Sequence, residues 1–129
     1  MVNDFFQEYC FVYLKELILK YTVMKMLVTV TCPIEPFSSM VRNGSAGEII
    51  GRVIDEIRPE SIYFTEVDGH RGAVMVVDVK EASSIPSIAE PWFLNFEAIC
   101  EFRIAMTPDD LMKANLTKLA EKWSEFHTE

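Results

Sequence analysis

Apolar positions along this chain change their spacing several times, and each change marks an element. From Ser61 to Lys80 they form two runs, Ile62-Tyr63-Phe64 and Val74-Met75-Val76-Val77, whose β-branched and aromatic side chains suit a pleated, mostly buried surface. Asp68-Gly69 between them is a strong hairpin signal, because Gly accepts the positive φ of a tight turn. Gly72 predicts a longer or bulged connection through Asp68-Gly69-His70-Arg71-Gly72. Met26 to Thr31 reads as another strand, stopped by Pro33 and Pro36. After a short helix over Phe37 to Val41, the residues Ile49, Ile50, Val53, Ile54 and Ile57 recur at helical spacing. They predict a helix over 46–58, with Ser45-Ala46-Gly47-Glu48 as a capping box and Pro59 closing it.

The stretch from Glu81 to Glu97 is divided by Pro86 and Pro91. Ile85, Ile88 and Ala89 predict a short helix, and Trp92, Phe93 and Phe96 its entry into a final strand over 98–106. Thr107-Pro108-Asp109-Asp110 then opens a last helix with an N-cap, Pro at the first position and acids at the positive end of the dipole. That helix presents Met112, Leu116, Leu119, Trp123 and Phe126 as one stripe. At the other terminus residues 4–21 predict a helix with Asp4, Glu8, Lys15, Glu16 and Lys20 on one side. Phe6, Cys10, Tyr13, Leu14, Leu17 and Tyr21 lie on its broad apolar remainder, and Glu16 and Lys20 are spaced for an i,i+4 pair. A face that wide docks on a core, a partner subunit or a membrane surface. Met24 or Met26 could equally start the natural protein, which makes residues 1–23 a helical extension and 24–129 the domain.

Without the terminal helices the order is β-α-β-β-α-β, an α+β class reading. It is the ferredoxin-like split βαβ plan, an antiparallel sheet with both helices on one face. One alternating set of strand positions is Met26, Val28, Val30, Ile62, Phe64, Met75, Val77, Phe102 and Ile104. The opposite set includes Leu27, Thr29, Thr31, Tyr63, Thr65, Val67, Val74, Val76, Ile99, Glu101 and Arg103. This second set is semi-apolar, as in a sheet that packs on another sheet around a small cavity, and it predicts a homodimer.

Composition narrows the classes. The chain has 129 residues, half of them hydrophobic, enough for one domain with a core of its own. A formal net charge of −8 argues against nucleic acid, and no run approaches a membrane span. Three widely spaced cysteines, Cys10, Cys32 and Cys100, suit free thiols in a reducing compartment, so a cytoplasmic protein is expected. The N-terminus carries Asp4 and Glu8 where a signal peptide carries positive charge.

The strand Met26-Leu27-Val28-Thr29-Val30, the hairpin over 61–80 and the segment Pro91-Trp92-Phe93-Leu94 carry a resemblance. Together they resemble the dimeric α+β-barrel proteins, small ferredoxin-like domains whose sheets face each other in a homodimer. The apolar-aromatic segment, followed by a strand running out to Met106-Thr107-Pro108, is similar to that of muconolactone isomerases. The likeness implies the fold, over about two thirds of the chain. It fixes no activity, because that superfamily has no common catalytic motif. Isomerases, cofactor-independent monooxygenases and members without known activity all belong to it.

Candidate chemistry is sparse. There is no G-x-G-x-x-G, G-K-[ST], G-x-S-x-G or H-x-x-x-H pattern, so neither a cofactor nor a metal is expected. His70 and Arg71 read as exposed turn residues, and His127 lies in the tail. Glu101 and Arg103 are two apart and share a strand face with Tyr63, Thr29 and Thr31. They read either as inward charges guarding an edge strand, or as a site in which Glu101 accepts a proton, Arg103 holds a carboxylate and Tyr63 donates a hydrogen bond. Trp92 either roofs the same cavity or fills the core. The expected function is therefore a homodimer that binds a small apolar or aromatic molecule. The alternatives are an isomerase or monooxygenase acting on an aromatic-derived or lactone substrate, and a non-catalytic structural or regulatory dimer.

Overall fold

The computed structural model describes residues 2–124, with side chains for 4–15 and 23–124. The elements run α1 (Val2–Thr22), β1 (Met24–Thr31), α2 (Ile34–Arg42), α3 (Ala46–Ile57), β2 (Ser61–Val67) and β3 (His70–Val79). A 3-10 turn (Ala82–Ser84) leads into α4 (Ile85–Phe96), β4 (Ile99–Ala105), α5 (Pro108–Lys113) and α6 (Leu116–Ser124). The strands form one antiparallel sheet in the order β2-β3-β1-β4, an α+β architecture. No helix among the described residues is long and apolar enough to cross a membrane.

Strand alternation sorts the sheet into two faces. Met26, Val28 and Val30 of β1 and Ala73, Met75, Val77 and Val79 of β3 are all buried. They pack with Val53 of α3 and Ile88, Trp92 and Phe96 of α4, while Phe37 and Met40 of α2 border the cluster. Each fully buried side chain of this size contributes about 1.5–3 kcal/mol, so this layer holds the domain together. At its rim Phe64 and Ile104 remain exposed. The opposite face, bordered by α5 at Lys25 and Asp78, leaves Leu27, Tyr63 and Ile99 exposed. Its register sets Ser61, Val76, Leu27 and Arg103 in one row and Tyr63, Val74, Thr29 and Glu101 in the next.

Four local expectations give way. The hairpin is tighter than Gly72 implied: Val67 pairs with His70, leaving Asp68 and Gly69 as the loop, both at positive φ. Two such residues fit the right-handed twist of the strands. Gly72 instead lies within β3, where an added Cβ would stand 2.6 Å from the Val30 carbonyl oxygen. The capping box at Ser45 does not form, because Ser45 has helical backbone angles and its hydroxyl donates to Asn43 Oδ1 at 2.6 Å.

Trp92, Phe93 and Phe96 belong to α4, which continues through Pro91. The stripe Ile88, Ala89, Trp92 and Phe96 is buried at helical spacing, and that burial outweighs the roughly 3 kcal/mol that Pro costs inside a helix. The last helix is two helices, broken at Asn115 with φ of 52°. Met112 therefore lies on α5 and Leu116, Leu119 and Trp123 on α6, all exposed. Along α1 the described side chains are exposed too. The side chains of Glu16, Leu17, Lys20 and Tyr21, and all of Phe126 and His127, lie outside the described residues.

Candidate functional site

Where β1 ends and the β2–β3 hairpin turns, there is a cavity of about 400 Å³. That is the low end of the range for small-molecule sites, roughly 300–1,000 Å³. Its walls are apolar: Val30 and Ala73 from the sheet, Phe37 from α2, Ile50 from α3, Trp92 from α4 and Phe64 from β2. Polar groups gather on one side only, where Thr65, Glu66, His70 and Arg71 of the hairpin line it.

The aromatic wall is a continuous stack. Phe37 lies on Phe96 with ring centroids 5.1 Å apart, and Trp92 meets Phe96 at 5.9 Å. The Arg71 guanidinium sits 5.0 Å from the Phe37 centroid and donates from Nη1 to Ser38 Oγ at 2.9 Å. These two contacts hold the guanidinium plane against the mouth without neutralising it. Glu66 accepts from the Gly69 amide at 2.7 Å, and His70 Nδ1 donates to the Asp68 carbonyl at 3.1 Å. Both bonds tie side chains to the turn. The Trp92 indole N–H is buried and has no acceptor. Leaving such a group unpaired costs about 1–3 kcal/mol.

Cys32 also lines the cavity, and burial pushes its thiol up although Arg71 pulls it partly back. Cys100 is pushed up to about 11, by burial first and by Cys32 second. Neither is a thiolate near neutral pH, so neither is poised as a nucleophile. Among the described residues, no three His, Cys, Asp or Glu side chains group to hold a metal.

The six residues expected at a site fall into two places. Thr29, Thr31, Tyr63, Glu101 and Arg103 do share one face, the open one. Thr29 lies directly between Tyr63's partner Val74 and Glu101, while Arg103 Nη2 is 3.8 Å from Glu101 Oε2 with both side chains exposed. Trp92 lies across the sheet from them, only 2 % exposed, so it cannot roof a cavity they line. Its helical spacing from Ile88 and Phe96 was the signal for that placement. Arg71 and Phe37 were missed as cavity residues. Arg71 belongs to β3 rather than to a five-residue turn, which places it beside α2. No protein-family model matches the chain, and neither does any curated protein.

Proposed function

We propose that this chain is a small-molecule-binding domain that works as a homodimer, with its ligand held between sheet and helices beneath the hairpin. The cavity carries this reading. It has apolar walls and polar groups on one side, which is the makeup of a ligand site. The strand order, read as β4-β1-β3-β2 with helices on one face, supports a ferredoxin-like domain. Buried or half-buried free thiols at Cys32 and Cys100 support a reducing compartment such as the cytoplasm.

The partner is a second copy, seated on the open face as in a dimeric α+β barrel. The open face leaves Leu27, Tyr63 and Ile99 exposed, apolar area that a subunit contact would cover. Arg103 and Lys25 stand with Glu101 and Asp78 on that face, so a two-fold axis can set acid against base. In this arrangement Thr29, Thr31, Tyr63, Glu101 and Arg103 are interface residues.

Nitrogen-15 NMR tests the site, because the chain has two tryptophans and so two indole N–H signals. Titrating one-ring aromatic compounds should move the Trp92 signal and leave that of Trp123, exposed on α6, in place. If no compound moves Trp92, or if both signals move together, the cavity is not a binding site.

A further inference from the structure

We infer that the ligand is a monoanion, a one-ring or two-ring carboxylate whose ring lies against Phe37 and Trp92 and whose carboxylate pairs with Arg71. This rests on the binding site proposed above and adds its chemical class. The placement of Arg71 makes the case. Arg42 and Arg103 each have a carboxylate within 4.0 Å, Glu35 at 3.2 Å and Glu101 at 3.8 Å. Arg71, like Arg52 and Arg58, has none within that distance among the described residues, and of these three only Arg71 lines the cavity, with a ring face and one hydroxyl as its contacts. A guanidinium offers five N–H donors in a fixed fork, and Ser38 takes only Nη1. The remaining donors sit at the one polar edge of an otherwise apolar cavity, which is where the charged end of an amphiphilic acid would come to rest.

Glu66 sets the charge limit. It is the single carboxylate among the lining residues, and its Oε2 is engaged by the Gly69 amide. It also stands directly opposite Arg71 across the strands, so the two charges offset each other before a ligand arrives and the carboxylate opposes each further negative charge. A monocarboxylate therefore fits, whereas a dicarboxylate meets repulsion.

The experiment is calorimetric titration of the full-length protein with 3-phenylpropionate, its neutral amide and the dianion phenylsuccinate. The monoacid should bind about ten- to a hundredfold more tightly than the amide, the range a charge-assisted pair supplies. Phenylsuccinate should bind more weakly than the monoacid. Arg71→Met removes the guanidinium and should abolish the preference, bringing acid and amide to the same affinity. The wild-type comparison stands without the variant. Equal affinity for acid and amide overturns the carboxylate while leaving a neutral-ligand site intact. A preference that survives Arg71→Met overturns the role of Arg71, and no binding by any of the three overturns site and class together.

Discussion

The two faces of the sheet are built on the same strands in the same register, and they have opposite surroundings. On β1, Val28 and Val30 are 0 % exposed while Leu27, between Met26 and Val28, is 39 % exposed. The covered face is wholly apolar at its centre. The open one mixes Leu, Val and Tyr with Thr and two opposite-charge pairs, Lys25–Asp78 and Arg103–Glu101. A face designed for permanent water would carry fewer large apolar groups, and one designed for a core would carry no charges. The mixture matches the apolar centre and polar rim of a subunit contact. One face thus holds the molecule together and borders the cavity, and the other is the one we propose for a partner.

Truncation on either side should separate the roles most strongly. Phe96→Ala removes a fully buried ring that stacks on Phe37 and Trp92, and should cost about 3–5 kcal/mol in urea unfolding. Tyr63→Ala, on a residue 72 % exposed, should leave the core intact and appear as a steeper dependence of the midpoint on protein concentration. Comparable losses from both, independent of concentration, would erase the distinction.

A smaller effect is expected at Gly72, where the hairpin lies against β1. Gly72→Ala forces the new Cβ away from the Val30 carbonyl and from Val67 Cγ2, each at 2.6 Å. Strain of this kind costs about 1–3 kcal/mol, and because both strands border the cavity, ligand affinity should fall with it. Unchanged stability in thermal melts would show that the two strands can part without penalty.

The smallest effect lies outside both faces, at the start of α5. Thr107 Oγ1 accepts from the Asp110 amide at 3.1 Å, and Asp110 Oδ2 accepts from the Thr107 amide at 3.0 Å. The Thr107 amide holds the Asp110 carboxyl below its usual range, with the Thr107 hydroxyl second. A lowered folded value means that the contribution is present above the ordinary carboxylate pKa and is lost as pH falls through the lowered value. Carbon-detected titration of Asp110 should give a midpoint below that of an unperturbed aspartate. Thr107→Ala keeps the backbone amide and removes only the hydroxyl, so the midpoint should rise part of the way to the ordinary value, and the lost cap should cost about 1 kcal/mol.

Much of this contrast was legible in the sequence. Alternation placed Met26, Val28, Met75 and Val77 on one face and Leu27, Tyr63, Thr29 and Glu101 on the other, because period two is a property of the strand itself. The N-cap at Thr107 was equally local. Two residues depart from their ordinary habit. Pro91 breaks helices as a rule, yet the buried stripe around it decides this one. Gly72 suits a turn, yet the close approach of Val30 explains it. Of the cavity only Trp92 was legible. Arg71, Phe37 and Trp92 come from three elements, and no spacing rule links residues that only tertiary packing brings together.

The division of labour between the two faces is tested most directly by a native mass spectrum of the full-length protein with 3-phenylpropionate in excess. A partner on the open face and a ligand on the covered one predict a particle of twice 14.8 kDa carrying two probe molecules, one for each chain. A particle of one chain would contradict the account, as would a dimer holding a single shared probe or none.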